Sequence, residues 1–320
     1  MKIAIIGSGI SASVLTYRLR NARPDIQLQL FEKSRGVGGR MSTRRREPWA
    51  FDHGVPFFTA RSQSFQQILK AFQSQGVVHE WQPRVLTLAR GKKPYSRDWF
   101  EPHYVATPNM NQLCKALLGN QPVQFEQTIH QVSGGPGNWR LCSVEGDEFG
   151  PFDRVVSTAP AEQTQAIFQT GAALLDVEFE PCFTLILGCA ASYKPTFDAA
   201  RVNDGNLKWL TWSHRKPGRS SQAALVGHAR GDYSKRRFDD DRDALQAELL
   251  GDTIELLPDL LIDSVDLHRW KYAQVIKPLG TPFWSDESES LHACGDWCLG
   301  DEVEDAFSSA DSLADKLLRF

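Results

Sequence analysis

The chain has 320 residues, 41% apolar and 23% charged, with a formal net charge of -3. That composition supplies a large buried core, and the length predicts about two domains. The charge excludes the broad basic field that nucleic acid or anionic lipid demands, and no apolar run approaches the roughly 20 residues that cross a bilayer. The longest apolar stretch, Phe183 to Ala191, suits a buried strand. No secretory signal is expected, because the short run Ile3 to Ile6 passes directly into glycines. Cys114, Cys142, Cys182, Cys189, Cys294 and Cys298 are scattered without C-x-x-C spacing, and the eight histidines have no H-E-x-x-H spacing. The expectation is a cytoplasmic protein with reduced thiols, no metal site and no nucleic-acid or membrane partner, a monomer or weak dimer.

Ile3 to Ile6 read as a buried parallel strand that closes on Gly7-Ser8-Gly9-Ile10-Ser11-Ala12, a G-x-G-x-x-A turn. Gly7 supplies the tight turn, Gly9 lets a pyrophosphate approach the backbone, and Ala12 allows helix and strand to pack closely. Val14, Leu15 and Leu19 then recur at helical spacing, so the free N–H groups of a helix start, including Ile10 and Ser11, face the phosphates. Leu28 to Glu32 form the second strand, and Glu32 lies 20 residues beyond Ala12, where an acid accepts ribose hydroxyls. Strand, turn, helix, strand and acid agree on dinucleotide binding.

The next residues, Lys33-Ser34-Arg35-Gly36-Val37-Gly38-Gly39-Arg40-Met41-Ser42-Thr43, resemble the E-K-x-x-x-x-G-G-R-x-x-T run of the flavin amine oxidase and glutathione reductase superfamily. The resemblance implies FAD, with Lys33, Gly39, Arg40 and Met41 beside it. Arg40 is a forked cation suited to a phosphate, a surface ion pair being the plainer reading. Arg44-Arg45-Arg46 reads as a solvated turn. Asp52 to Arg61 match the D-x-G-x-x-x-F run, which in the superfamily lies beside the flavin ring and brings in His53, Gly54, Val55 and Pro56. Together with His268 to Ala273 and Cys294 to Leu299, this run resembles the bacterial branch of the renalase family over nearly the whole chain.

Val123 to Glu126 and Thr128 to Val132 alternate as strands, with Trp139 to Leu141 and Phe152 to Pro160 returning to the sheet. The resemblance gives Ile129 a backbone contact to adenine, against the reading of an ordinary core isoleucine, and makes Thr158 the end of the strand that crosses back over the cofactor. Leu291 to Cys294 form a strand delivering Gly295 and Asp296, whose carboxylate contacts the ribityl or pyrophosphate in the superfamily. A helix opening near Val303 and running to Leu318 aims its N-terminus at the flavin pyrimidine edge, where free N–H groups stabilise the charge of reduced flavin. Asp305 and Ser309-Ala310 stand where the family more often has glycine and a small pair. An acid at 305 reads either as an exposed helix-start carboxylate or as a group that lowers the flavin potential.

The FAD-binding part is thus expected at 1–80, 104–160 and 255–320, with a substrate part at 81–103 and 161–254. The fold class is α/β: a Rossmann-type, glutathione reductase-like domain with a second, mainly antiparallel β-sheet domain of the amine oxidase and p-hydroxybenzoate hydroxylase kind. In the second part Ala161 to Phe168 read as a helix, Cys182 to Leu187, Leu207 to Trp212 and Ala223 to Ala229 as strands, Ser213 to Arg219 as a loop, Lys235 to Asp241 as a solvated loop, and Arg242 to Leu257 as a helix.

Matching the renalase pattern residue by residue places Phe57, His214, His228 and Trp270 at the substrate face, with Trp209 and Tyr272 as second choices. Aromatic walls suit a flat dihydropyridine ring, and polar donors its carboxamide. The plainer readings are a satisfied core histidine for His228 and a packing aromatic for Trp270. The resemblance implies oxidation of off-pathway 2- and 6-dihydro-NAD(P) isomers by hydride transfer to FAD, with molecular oxygen regenerating the flavin and releasing hydrogen peroxide. Pro56 and Phe57 stand where the family commonly has glutamine and tyrosine, which removes an amide and a hydroxyl. A flavin amine oxidase, which generally has a lysine beside the flavin that this sequence does not point to, is the second reading. An FAD-binding protein without catalysis is the third.

Overall fold

The computed structural model of the chain describes residues 1–98, 100–170, 174 and 176–320. Lys2–Ile6 is the central strand of a six-stranded sheet, ordered Trp284–Ser285, Leu291–Ala293, Arg154–Ser157, Lys2–Ile6, Gln27–Phe31, Val123–Gln124. All neighbours are parallel except the Trp284–Ser285 edge. Burial on both faces explains the continuous isoleucine run, because helices cover a parallel sheet on either side. The Ile10–Ala22 helix crosses between the first two strands and buries Val14, Leu15 and Leu19 against the Gln112–Leu118 and Val303–Leu317 helices. Each such leucine contributes about 1.5–3 kcal/mol.

The second sheet has seven strands, ordered Ile262–Lys277, Glu178–Cys189, Ala224–Ala229, Leu207–Trp212, Ala199–Val202, Val85–Leu88, Tyr95–Arg97. It is antiparallel apart from the Ala199–Val202 and Val85–Leu88 pair. Side chains alternate across it. Phe183, Leu185, Leu187, Leu210 and Leu225 pack on one face with Leu245 and Leu249 of the Arg242–Leu256 helix, which starts at Asp241, whose carboxylate accepts from the Asp243 and Ala244 N–H groups. Ile186, Ala224 and Val226 pack on the other face with Phe51 and Trp49, and Gly188 leaves the room that the Trp49 ring fills. His228, two residues beyond Val226, stands on this inner face.

The fold therefore joins a Rossmann-type α/β layer to a mainly antiparallel sheet, and several local expectations need correction. Arg44–Arg46 is not a solvated turn but a strand paired with Trp49–Phe51, because Arg44 reaches the Asp266 carboxylate and His268. Ile129–Ser133, Trp139–Ser143 and Glu148–Phe152 do not join the large sheet; they form their own three-stranded one. Gly231–Arg236 is helical, which takes Lys235 and Arg236 out of the expected loop. Ile262–Lys277, assigned from sequence to the cofactor-binding part, is the edge strand of the seven-stranded sheet and pairs with Glu178–Cys189 along its length. Among the described residues no helix is long and apolar enough to cross a membrane.

Candidate functional site

The first strand ends in a turn that only glycine accommodates: Gly7 has φ +102°, and a Cβ there would lie 2.3 Å from Thr158 Oγ1. Thr158 buttresses the turn, its hydroxyl and N–H both donating to the Ile6 carbonyl. The Ile10–Ala22 helix begins at Gly9 with no side-chain cap, and a Cβ on Gly9 would meet nothing within 4 Å. Uncapped N–H groups at such a helix start suit an anion. Gly39 closes one side, its Cβ position 3.5 Å from Gly9 Cα. Ala12 and Ile10 are buried, and Ser11 Oγ donates to the Ala306 carbonyl, so the starts of the Ile10–Ala22 and Val303–Leu317 helices lie side by side. The buried Glu32 carboxylate accepts from the Ser8 N–H and hydroxyl and from the Ser34 N–H, which fixes it beside the turn. Ile129 is buried at the start of its strand, close to this acid because Gln127 N donates to the Glu32 carbonyl. Lys33 is exposed and Met41 is a core side chain.

Arg40 and Asp296, expected separately at the phosphates and the ribityl chain, meet each other: Nη1 and Nη2 donate to the two carboxylate oxygens at 2.7 and 2.6 Å. Arg40 Nη1 also reaches the Ala273 carbonyl. Gly295 N–H donates to Ser309 Oγ, which gives the serine at that position a local purpose. Val303 is the first residue of its helix, capped by Glu302. Asp305 is not a solvated carboxylate: it accepts from Glu302 N–H at 2.9 Å as half of a capping box.

Residues 52–55 are held from the opposite sheet. The buried Asp52 carboxylate accepts from Lys216 Nζ at 2.9 Å, Arg219 Nη2 at 2.8 Å, Thr43 Oγ1 at 2.6 Å and Met110 N at 3.2 Å. Burial alone would raise its pKa, but the Lys216 and Arg219 charges hold it well below the usual carboxylate range. Desolvation lowers Lys216 from 10.5 to about 8 against the opposing pull of Asp52. His53 and Gly54 offer their carbonyls to Trp270 Nε1 at 3.2 Å and His228 Nε2 at 2.8 Å, and Val55 N–H donates to the Arg40 carbonyl. Gly54 is tightly confined, since a Cβ there would lie 1.9 Å from that same carbonyl oxygen. Pro56 follows, half-buried.

His53, His268 and Trp270 pack as an aromatic group, with centroids 4.9 Å apart for His53–His268, 5.2 Å for His53–Trp270 and 4.3 Å for His268–Trp270. Burial lowers His53 to about 3 and His228 and His268 to about 4, so all three are neutral near pH 7. His53 Nδ1 is buried without a hydrogen-bond partner. A second aromatic group surrounds Phe57, with His103 at 4.6 Å, Trp209 at 5.7 Å and Trp81 at 6.0 Å. Trp209 is the cross-strand partner of His228, which links the two groups.

His214 and Tyr272 have surroundings of their own. His214 accepts from the Ala224 N–H through Nδ1 and packs on Trp212, with Arg215, Asp198 and Lys194 as its charged neighbours, none shared with His228. Tyr272 packs on Phe179 and under Lys271, in the stretch where the pairing between Glu180 and Cys182 is irregular. Sequence reasoning missed Trp81, His103, Ser213, Lys216 and Arg219. Lys216-Pro217-Gly218-Arg219 reads locally as a turn, and its partner Asp52 is 164 residues away in Lys216's case, so no short-range pattern joins them.

The uncapped helix start, the open space at Gly9 and the orphaned His53 Nδ1 fit FAD, whose pyrophosphate needs the first two and whose polar ring edge can meet the third. Comparison agrees with this geometry. Residues 5–74 match the NAD(P)-binding Rossmann-like domain. The chain is similar in structure to an Exiguobacterium protein assigned as a protoporphyrinogen oxidase, with TM-score 0.78, 13% identity and coverage of 99% of this chain and 98% of that one. It is also similar to an oxidoreductase from Methanosarcina mazei, with TM-score 0.73, 10% identity and coverage of 98% and 100%. A triple mutant of putrescine oxidase with redesigned cofactor binding gives TM-score 0.74, 9% identity and coverage of 99% and 98%. At these identities the likeness is one of fold, and the chain has the two-part fold of these oxidoreductases along nearly its whole length.

Proposed function

We propose that the protein is an FAD-dependent oxidase of the renalase type, acting on 2- and 6-dihydro isomers of NAD(P) in the cytoplasm as a monomer or weak dimer. The observation that carries this reading is the presence in one fold of an uncapped dinucleotide-binding helix start and two groups of aromatic and neutral imidazole side chains around His53 and Phe57. Bound FAD supplies the hydride acceptor and, with molecular oxygen, the route to hydrogen peroxide. The chain's own groups do the positioning. Trp270 and His228 hold the His53 and Gly54 carbonyls, and Phe57 and Trp209 offer flat walls for a dihydropyridine ring. The neutral histidines add no cation that would oppose departure of a hydride from an electron-rich ring. Six free cysteines agree with a reducing compartment.

The aromatic group of Phe57, Trp81, His103 and Trp209 also favours a second reading, a flavin amine oxidase, because such walls suit a small neutral amine. Lys216 does not strengthen it, since its ammonium is bound to Asp52. Anaerobic stopped-flow absorbance near 450 nm distinguishes the two. Borohydride-reduced NAD bleaches the flavin under the first reading, and a small primary amine does so under the second. A flavin that stays oxidised with both leaves a protein that binds FAD without this chemistry.

A further inference from the structure

We propose that Lys216 is a positioning residue: through Asp52 it sets the 52–55 segment against the bound flavin from the substrate sheet. The inference rests on FAD binding beside the 52–57 segment as proposed above. Asp52, His53 and Gly54 are consecutive, and each is gripped by a group from the second sheet or its loops. Ser213 Oγ accepts from Asp52 N–H at 3.2 Å, Lys216 and Arg219 take the Asp52 carboxylate, Trp270 takes the His53 carbonyl, and His228 takes the Gly54 carbonyl. Lys216 has no exposed side-chain surface and Asp52 only 1%. Gly218 lies against Thr107, whose methyl would be 2.2 Å from a Cβ there, so the 213–219 loop is inserted into the other half rather than draped over it.

A buried lysine needs a reason, because a hydrocarbon side chain of its size would seal the same space without desolvating a charge. Arg219 already neutralises Asp52, so Lys216 is not required for charge balance. What it adds is a second direction of pull. Arg219 donates to Oδ2 through Nε and Nη2, Lys216 binds the same oxygen from the 3-10 turn that carries Ser213, and Thr43 and Met110 hold Oδ1 from the cofactor half. The carboxylate is thereby fixed between the two halves, and with it the backbone of the next three residues. Small displacements at such a position change rates far more than they change binding.

The test compares K216M and K216R with the parent protein, all purified with FAD bound. In K216M Arg219 still neutralises Asp52, so the fold is expected to persist with a lower melting temperature. The near-450 nm flavin band is expected to shift in K216M, and the limiting rate of flavin reduction by borohydride-reduced NAD to fall about tenfold with half-saturating concentration little changed. K216R is expected to restore both. S213A, which removes only the Ser213 contact, is expected to shift the band in the same direction and serves if K216M does not fold. A lower melting temperature in K216M or S213A with band and limiting rate unchanged would mean a purely structural lysine and overturn the proposal. The band needs no substrate, so an inert response to reduced NAD sinks the dihydronicotinamide reading while leaving this test intact; parent protein that binds no FAD sinks both.

Discussion

Arg40 and Asp296 are 256 residues apart and close a fork at 2.7 and 2.6 Å, joining the loop after the second strand to the loop after the Leu291–Ala293 strand. Asp296 is buried and Arg40 about one-third exposed. The pair thus braces these two loops against each other. D296N leaves a buried amide against a cation, and a loss of about 3 kcal/mol is expected in chemical denaturation. FAD release on dilution, followed by flavin fluorescence, should accelerate. Unchanged stability and release would mean that the pair is incidental.

Gly9 offers a cleaner probe of the cofactor. Its φ is -75°, which any residue adopts, and a Cβ would touch nothing. G9V is therefore expected to fold with a normal circular dichroism spectrum yet lose FAD affinity by more than about tenfold, because the valine fills the space a pyrophosphate must enter. A yellow G9V protein contradicts this assignment of the anion site.

The histidines predict how stability varies with pH. His53 sits at about 3, and His228 and His268 at about 4, all pushed down by burial. Between those values and about 6.5, the unfolded chain binds protons that the folded one refuses, so this stability is complete above 6.5 and lost as pH falls toward 4. Thermal melting across this window should show a steep fall on the acid side. A flat profile contradicts the buried neutral state.

Asp305 predicts a local effect. D305A removes half of a capping box at the Val303–Leu317 helix and should cost about 1 kcal/mol. With the carboxylate already committed to the Glu302 N–H, the substitution is expected to lower the melting temperature more than it alters the flavin's spectrum.

The dinucleotide end was legible because its determinants are local: the glycine turn, the helix spacing and Glu32 all fall within the first 32 residues. The expected substrate-face residues came from resemblance alone. His228 and Trp270 do stand by the Asp52–Pro56 segment, but as donors to its backbone carbonyls. His214, just past a strand end, binds the neighbouring strand through the Ala224 N–H. Tyr272 lies where the pairing between Glu180 and Cys182 is irregular, and no residue in the sequence announces that irregularity. Lys216 and Arg219 escaped notice because a basic turn looks solvated until its buried acid is known.

The strand order has a kinetic consequence. The chain supplies its first two strands to the six-stranded sheet, Val85–Leu88 and Tyr95–Arg97 to the seven-stranded one, returns for Val123–Gln124 and Arg154–Ser157, crosses again for Glu178 to Lys277, and returns to finish. Neither sheet can close before the far end of the chain has arrived. Loop-closure entropy must be overcome several times before pairing offsets it, so refolding should be slow, and severed fragments should fail to form an independent half.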